Sequence, residues 1–251
     1  MTAKEFYRRF ITVHKCGGCG QILSWDMSDE PFCEKCRVEW NEETVKSCGE
    51  CFLPVKECGC MPTLLEKAGA LTLRKLFFYL DKGERKATMG LIYWIKHRKN
   101  RRMTGFVGER LSEVLKQELE VFEIPIDEVF ITYVPRGKVS YRTHGFDQSQ
   151  LICRSISENT GIELLSVFRS AFSRKLQKEL DGRERVRHAR DTVRMKDKVS
   201  VSGRYAVLVD DIVTTGASMS VCTRQLMKAG ARGVICLCIA NRQKSPKNDR
   251  K

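Results

Sequence analysis

Between residues 64 and 94 apolar side chains return at helical spacing: Leu64, Leu65, Ala68 and Leu71, then Leu73, Leu76, Phe77 and Leu80, and later Leu91, Ile92 and Ile95. Gly83 and Gly90 punctuate the run. A further amphipathic helix is predicted over 106–119, where Phe106, Val107, Leu111, Val114, Leu115 and Leu119 share one side; it ends before Pro125. The pattern then changes to short apolar runs. Residues 127–134 predict a strand, with Pro135-Arg136-Gly137-Lys138 as the loop at its end. Gly145-Phe146-Asp147-Gln148-Ser149-Gln150 opens a helix that Thr160-Gly161 stops, and 162–167 predict a short strand. A strand over 204–210, a helix over 218–229 stopped by Gly230, and a strand over 233–239 follow. Alternating strands and helices predict an α/β fold, a parallel sheet with right-handed crossovers. Residues 168–198 break the pattern, with 11 basic and 5 acidic residues and almost no apolar periodicity except Leu176, Leu180 and Val186. They read as a long, partly mobile excursion above the sheet, with a solvated helical hairpin as the alternative. The polar, basic residues 241–251 predict a disordered tail.

Before Pro62 the pattern is set by cysteine. Cys16-x-x-Cys19, Cys33-x-x-Cys36, Cys48-x-x-Cys51 and Cys58-x-Cys60 fall within 45 residues. A C-x-x-C turn lets two thiolates reach one tetrahedral Zn²⁺, and two such turns complete a closed structural site. Gly17, Gly18, Gly20 and Gly49 suit the tight knuckle backbone. Thirteen residues separate the first two pairs, enough for a short β-hairpin. The simplest pairing is sequential, 16/19 with 33/36 and 48/51 with 58/60; interleaved pairing is the alternative. Cys58-Gly59-Cys60 is one residue short of a knuckle, so distorted chelation or a single ligand from that pair are both open, with His14 as a substitute. Redox chemistry calls for one pair at a helix start after a strand, whereas here four pairs recur in a loop-rich segment. A region of about 60 residues has little core, and bound metal would supply much of its folding free energy. Cys153, Cys222, Cys236 and Cys238 lie on apolar faces and are expected to be small buried hydrophobes.

The chain of 251 residues has room for one α/β domain plus a small one, or for two modest domains. No apolar run spans a bilayer and the first nine residues lack a leader's apolar core, so a soluble cytoplasmic protein is expected. That compartment also favours metal over disulfides for the cysteines. Net charge is −2 over residues 1–62 and +16 over 63–251. So basic a body attracts polyanions: nucleic acid, nucleotides or a pyrophosphorylated sugar. The run Lys96-His97-Arg98-Lys99-Asn100-Arg101-Arg102 reads as a phosphate contact or a solvated loop.

The stretch that concentrates chemistry is 205–218. An apolar strand ends in Asp210-Asp211, followed by Ile212-Val213-Thr214-Thr215-Gly216-Ala217-Ser218 and a helix. Ligands of open α/β sheets sit at such strand ends. The helix start suits a phosphate and the acids suit hydroxyls or a divalent metal, so this is a sugar-phosphate site. As plain helix-capping acids, one aspartate would be enough. No G-x-x-x-x-G-K-[ST] or G-x-G-x-x-G turn exists in the chain, which argues against ATPase and dinucleotide sites.

Val207-Leu208-Val209-Asp210-Asp211-Ile212-Val213-Thr214-Thr215-Gly216 resembles the phosphoribosyl-pyrophosphate (PRPP) motif of type I phosphoribosyltransferases. Over roughly residues 14–240 the chain resembles the ComF/GntX family. The family's R-G-F-N-Q stands here as His144-Gly145-Phe146-Asp147-Gln148, and its Q-x-x-L-x-x-x-x-R-x-x-N as Gln177, Leu180 and Arg185 with His188 in place of Asn. The resemblance implies a type I phosphoribosyltransferase-like parallel sheet at 126–240, a double zinc-ribbon-like module at 1–62, linker helices or hood at 63–125 and a tail at 241–251. It implies that Asp210 and Asp211 act at the catalytic centre on the ribose hydroxyls. Thr214, Thr215, Gly216, Ala217 and Ser218 would bind the 5′-phosphate, and Pro135, Arg136, Lys138 and Arg185 would bind pyrophosphate, with Mg²⁺ as bridge. Structural zinc would sit on Cys16, Cys19, Cys33, Cys36, Cys48, Cys51, Cys58 and Cys60. The expected activity is phosphoribosyl transfer to an unidentified acceptor. The alternative is single-stranded DNA handling during DNA uptake in natural transformation, beside an uptake helicase or channel.

Overall fold

The computed structural model describes residues 13–79, 86–170, 187, 189–197 and 199–242, with backbone alone at 138–140. In chain order the described elements begin with helices α1 (Glu34–Thr44) and α2 (Thr63–Glu66), strand β1 (Thr72–Tyr79), and helices α3 (Ala87–His97) and α4 (Arg101–Val121). Strand β2 (Val129–Tyr133), helices α5 (Lys138–His144) and α6 (Gln148–Thr160), and strand β3 (Glu163–Leu164) come next. Strands β4 (Phe168–Ser170), β5 (Val193–Met195) and β6 (Tyr205–Val213), helix α7 (Ala217–Lys228) and strand β7 (Gly233–Arg242) complete the set. The expected α/β fold is found: five strands form a parallel sheet in the order β1-β7-β6-β2-β3. Strands β4 and β5 make a separate antiparallel pair.

Central β6 shows why the sheet is buried on both faces. Val207 and Val209 pack with Leu111 of α4, Ile152 of α6 and Ile95 of α3. Ala206 and Leu208 pack with Cys222 and Leu226 of α7. Each fully buried aliphatic side chain contributes about 1.5–3 kcal/mol, and the period of two sends successive residues to opposite layers. Cys153, Cys222, Cys236 and Cys238 are buried in these layers, as expected. Among the described residues no helix is long and apolar enough to cross a membrane.

Some expectations are corrected. Residues 72–79, inside the run read as helical, form edge strand β1, paired along β7 from Thr72↔Ile235 to Tyr79↔Arg242. Leu73 is buried in one layer and Leu76 and Phe77 in the other, and a strand buried on both faces also satisfies an i, i+3, i+4 pattern. The helix expected at 106–119 starts at Arg101, because the Asn100 side chain accepts from the N–H groups of Arg102 and Met103. The basic run 96–102 is therefore the end of one helix and the start of the next. No hairpin joins the first two cysteine pairs: a 3-10 turn at Trp25–Met27 lies between them, and the second pair sits at the start of α1. The tail is shortened, since Asn241 and Arg242 belong to β7. The excursion's base is the β4–β5 pair; Gln177, Leu180, Arg185 and His188 lie outside the described residues, as does the tail beyond Arg242.

Candidate functional site

Asp210 and Asp211 lie near the carboxyl end of β6, where the parallel register brings the end of β2 alongside. Tyr133 pairs with Val209, and Val134 N–H donates to Val209 O at 3.0 Å. That places the Pro135-Arg136 turn at the same sheet edge as the acids. The Arg136 N–H donates to Asp147 Oδ2 at 2.8 Å, and Asp147 Oδ1 accepts from Gln150 N–H at 3.2 Å, capping α6. The Arg136 guanidinium lies over the Phe146 ring and donates to the carbonyls of Phe146 and Lys96 at 3.2 and 3.4 Å.

The start of α6 and the end of α3 then converge on the acids. Gln148 Nε2 donates to Asp211 Oδ2 at 2.8 Å, and Lys96 Nζ stands 3.5 Å from the same oxygen. Ser149 Oγ is 3.4 Å from Asp210 Oδ1, and that oxygen also accepts from the Asp211 N–H at 2.9 Å. Burial, and then the charge of Asp211, push the half-buried Asp210 well above the usual carboxylate range. Burial also raises Asp147, against the N–H groups of Arg136 and Gln150. Gln148 is 8% exposed, and its Oε1 meets no donor among the described residues. A buried acceptor beside two carboxylates fits a ligand that brings hydroxyls or a hydrated cation.

Thr214 and Thr215 form the turn after β6, and Gly216 carries it into α7 with φ +71°. A Cβ at Gly216 would lie 3.2 Å from Pro62 Cβ, so conformation and space both call for glycine. Ala217 and Ser218 open the 12-residue helix α7, whose first N–H groups have no partners within the helix. Asp210, Asp211, Thr214, Thr215, Gly216, Ala217, Ser218, Pro135 and Arg136 thus come from one edge of the sheet. The backbone of Lys138 opens α5, while its side chain and Arg185 lie outside the described residues. Sequence reasoning missed Lys96, Ser149 and the role of Gln148. The signals were present, in the first cation of the basic run and the last residue of His144-Gly145-Phe146-Asp147-Gln148.

The cysteines gather into two all-cysteine groups, Cys16/Cys19/Cys33/Cys36 and Cys48/Cys51/Cys58/Cys60, with the sulfurs of each within 4.8 Å of one another. This is the sequential pairing, and His14 belongs to neither group. Cys16 Sγ lies 3.7 Å from Cys33 Sγ, close to the edge of a tetrahedron with Zn–S bonds of about 2.3 Å. Burial pushes the Cys16 thiol up, and N–H groups of Cys33, Cys19 and Gly18 more than offset this, bringing it to about 7. Cys48 also comes to about 7, with burial opposed by the N–H groups of Cys51 and Glu50. One thiol brought to about 7 with three more sulfurs within 4.8 Å, in each group, fits a metal ion such as zinc. In the second group, the buried Lys75 of β1 donates to Cys60 O at 2.9 Å.

A profile of the phosphoribosyl transferase domain matches residues 165–251, which include the β6–α7 turn. The carboxyl-terminal part of the chain is similar to that domain. The ComF/GntX resemblance is borne out by the curated relatives as well. The chain is 32% identical over 114 residues to the DNA utilization protein YhgH of Escherichia coli K12, covering 43% of this chain and 48% of that protein. It is 27% identical over 139 residues to the protein of the same name from Salmonella typhi, covering 53% and 60%. The chain spans about half the length of the curated relatives it matches. Among solved structures, a hypoxanthine-guanine phosphoribosyl transferase of L. donovani matches with TM-score 0.38 and 12% identity, over 59% of this chain and 72% of that one. A hypoxanthine-guanine phosphoribosyltransferase of Bacillus anthracis matches with TM-score 0.38 and 18% identity, over 58% and 74%.

Proposed function

We propose that the phosphoribosyl transferase domain binds Mg²⁺·PRPP at the β6–α7 turn and transfers its phosphoribosyl group, in the cytoplasm, to an acceptor that the sequence leaves open. The observation that carries this reading is the convergence of Asp210, Asp211, the unpartnered Gln148 Oε1 and the start of α7 on one sheet edge. Asp210 and Asp211 accept from the ribose 2′- and 3′-hydroxyls, and Gln148 fixes the Asp211 carboxylate for that contact. Thr214, Thr215, Gly216, Ala217 and Ser218 surround the 5′-phosphate with backbone and hydroxyl donors. The Pro135-Arg136 turn, with Lys138 and Arg185, supplies positive charge on the pyrophosphate side. Mg²⁺, held by ribose and pyrophosphate oxygens, would neutralise the leaving group. Displacement at C1 passes through an oxocarbenium-like state and needs no protein nucleophile; the fixed charges stabilise the departing pyrophosphate. The eight cysteines hold structural zinc, since four thiolates leave no open coordination position. Mg²⁺-dependent pyrophosphate release from PRPP over a panel of bases and amines tests the transfer. Release with at least one acceptor is expected, and turnover with none would remove it.

A second reading, DNA handling during uptake, is supported by the formal net charge of +14 and by the name of the relatives, DNA utilization protein. Arg98, Lys99 and Arg101 are exposed at the α3–α4 corner and suit phosphate contacts. Single-stranded DNA binding is expected to weaken steeply with salt, each phosphate contact adding about 0.7 to the log–log slope. Neutralising those three side chains should flatten that slope; an unchanged slope would count against this reading.

A further inference from the structure

The ends of α3 touch two distant parts of the molecule. At its start, Ala87 N–H donates to Glu39 Oε2 of α1 at 3.1 Å, and Lys86, the preceding residue, pairs with Glu43. At its end, Lys96 Nζ stands 3.5 Å from Asp211 Oδ2, and Lys96 O accepts from the Arg136 guanidinium. Between them, Gly90 lies directly on the first cysteine knuckle. A Cβ at Gly90 would stand 1.8 Å from Gly18 O and 2.6 Å from Gly18 C. The knuckle has nowhere to retreat: a Cβ on Gly17 would meet Met103 Sδ of α4 at 2.5 Å, and one on Gly18 would meet Cys36 Sγ at 2.6 Å. Arg102 of α4 also ties the knuckle down through the carbonyls of Lys15 and Ser28.

We propose that Gly90 is a positioning residue for the acidic loop: by letting α3 rest backbone to backbone on the Cys16–Cys19 knuckle, it sets where Lys96 meets Asp211. Lys96 follows Gly90 by six positions, about 9 Å along the helix. Leu91, Ile92 and Ile95 in that interval are buried against the sheet layer, so the helix responds to a push at its middle as a rod. A side chain at position 90 displaces the helix from the knuckle and carries Lys96 away from the carboxylate. The effect on ligand binding rests on the PRPP reading above; the effect on Lys96 does not.

Two readouts keep them apart. The first is the acylation rate of the Lys96 amine, followed by mass spectrometry with exposed Lys99 as internal reference. Gly90→Ala is expected to raise the Lys96 rate several-fold. Gly105→Ala, in α4 where an added Cβ meets nothing within 4 Å, is expected to leave it unchanged. Glu39→Ala loosens the same end of α3 without a clash and should move Lys96 in the same direction, so the inference stays testable if Gly90→Ala folds poorly. The second readout is Mg²⁺·PRPP affinity. Gly90→Ala and Lys96→Met should each weaken it about tenfold, with the double variant no weaker than Lys96→Met alone. An unchanged Lys96 rate in both Gly90→Ala and Glu39→Ala, or additive losses in the double variant, would overturn the inference. A raised Lys96 rate in a protein that never binds PRPP would support the positioning and remove the ligand.

Discussion

The first cysteine cluster is held from outside by helices: Gly90 of α3 and Met103 of α4 press on its knuckle, and Cys16, Cys33 and Cys36 belong to the same buried layer as the sheet. The second has a small cluster of its own, Cys48, Val55, Cys58 and Phe78, and meets the sheet through Lys75 of the edge strand. Its knuckle tip is open, with Phe52 79% exposed at φ +60° and Leu53 exposed beside it. Equivalent ligand sets therefore do different work. The first is continuous with the helices that reach Asp211, while the second is attached to the sheet's edge strand. Metal loss at the two sites should be felt differently by the rest of the molecule.

The largest expected effect comes from breaking the first site. Cys36→Ser removes a buried thiol from the first group, and with zinc held there as proposed, metal content should fall together with stability by several kcal/mol, on the order expected for a structural zinc in a small module. Mg²⁺·PRPP affinity should fall with it. Cys58→Ser should lose metal at the second site, cost less in urea denaturation and weaken that affinity less. Equal losses of affinity in the two variants would erase the contrast.

A smaller effect is expected at Lys75, which is 1% exposed. Lys75→Met leaves the Cys60 carbonyl without its donor, a loss of about 1–3 kcal/mol. It also takes a cation from beside Cys58, whose thiol burial raises and Lys75 lowers. Faster metal transfer to a chelator from the second site alone is the expected result; faster transfer from both would show that the sites are not independently anchored.

The smallest effect sharpens the acidic end of the same layer. Asp147 is buried and its carboxyl sits above its ordinary range, so the folded state binds its proton more tightly than the unfolded chain does. Its contribution is therefore fully present below the unfolded titration range and is lost as pH rises through the raised folded value. Asp147→Asn keeps an oxygen to cap α6 and removes the buried charge. The decline of stability with rising pH should flatten, although the amide NH2 turned toward the Arg136 N–H forfeits that hydrogen bond; a steeper decline would contradict the assignment.

The elements read correctly from sequence were those determined by local pattern. Cysteine spacing gave the sequential pairing, and the apolar runs gave β2, β6 and β7, because knuckles and buried central strands leave short-range signatures. Strand β1 was misread because Leu73, Leu76 and Phe77 are buried on both faces, and burial without alternation looks helical. The acids and the β6–α7 turn were legible as a contiguous stretch. Lys96 was not, since its meeting with Asp211 spans the fold and is set by where α3 lies on the knuckle. Gln148 stood in a quoted motif, but only the fold shows its Nε2 on Asp211 and its Oε1 unpartnered.

The most direct measurement is a calorimetric titration with PRPP and Mg²⁺, run on the unaltered protein and on Asp210→Asn/Asp211→Asn. Saturable one-site binding that requires Mg²⁺ and disappears in the double variant, with the melting curve otherwise preserved, is the expected result. Binding of equal strength in both proteins, or no binding to the unaltered protein, would contradict a PRPP site at the end of β6.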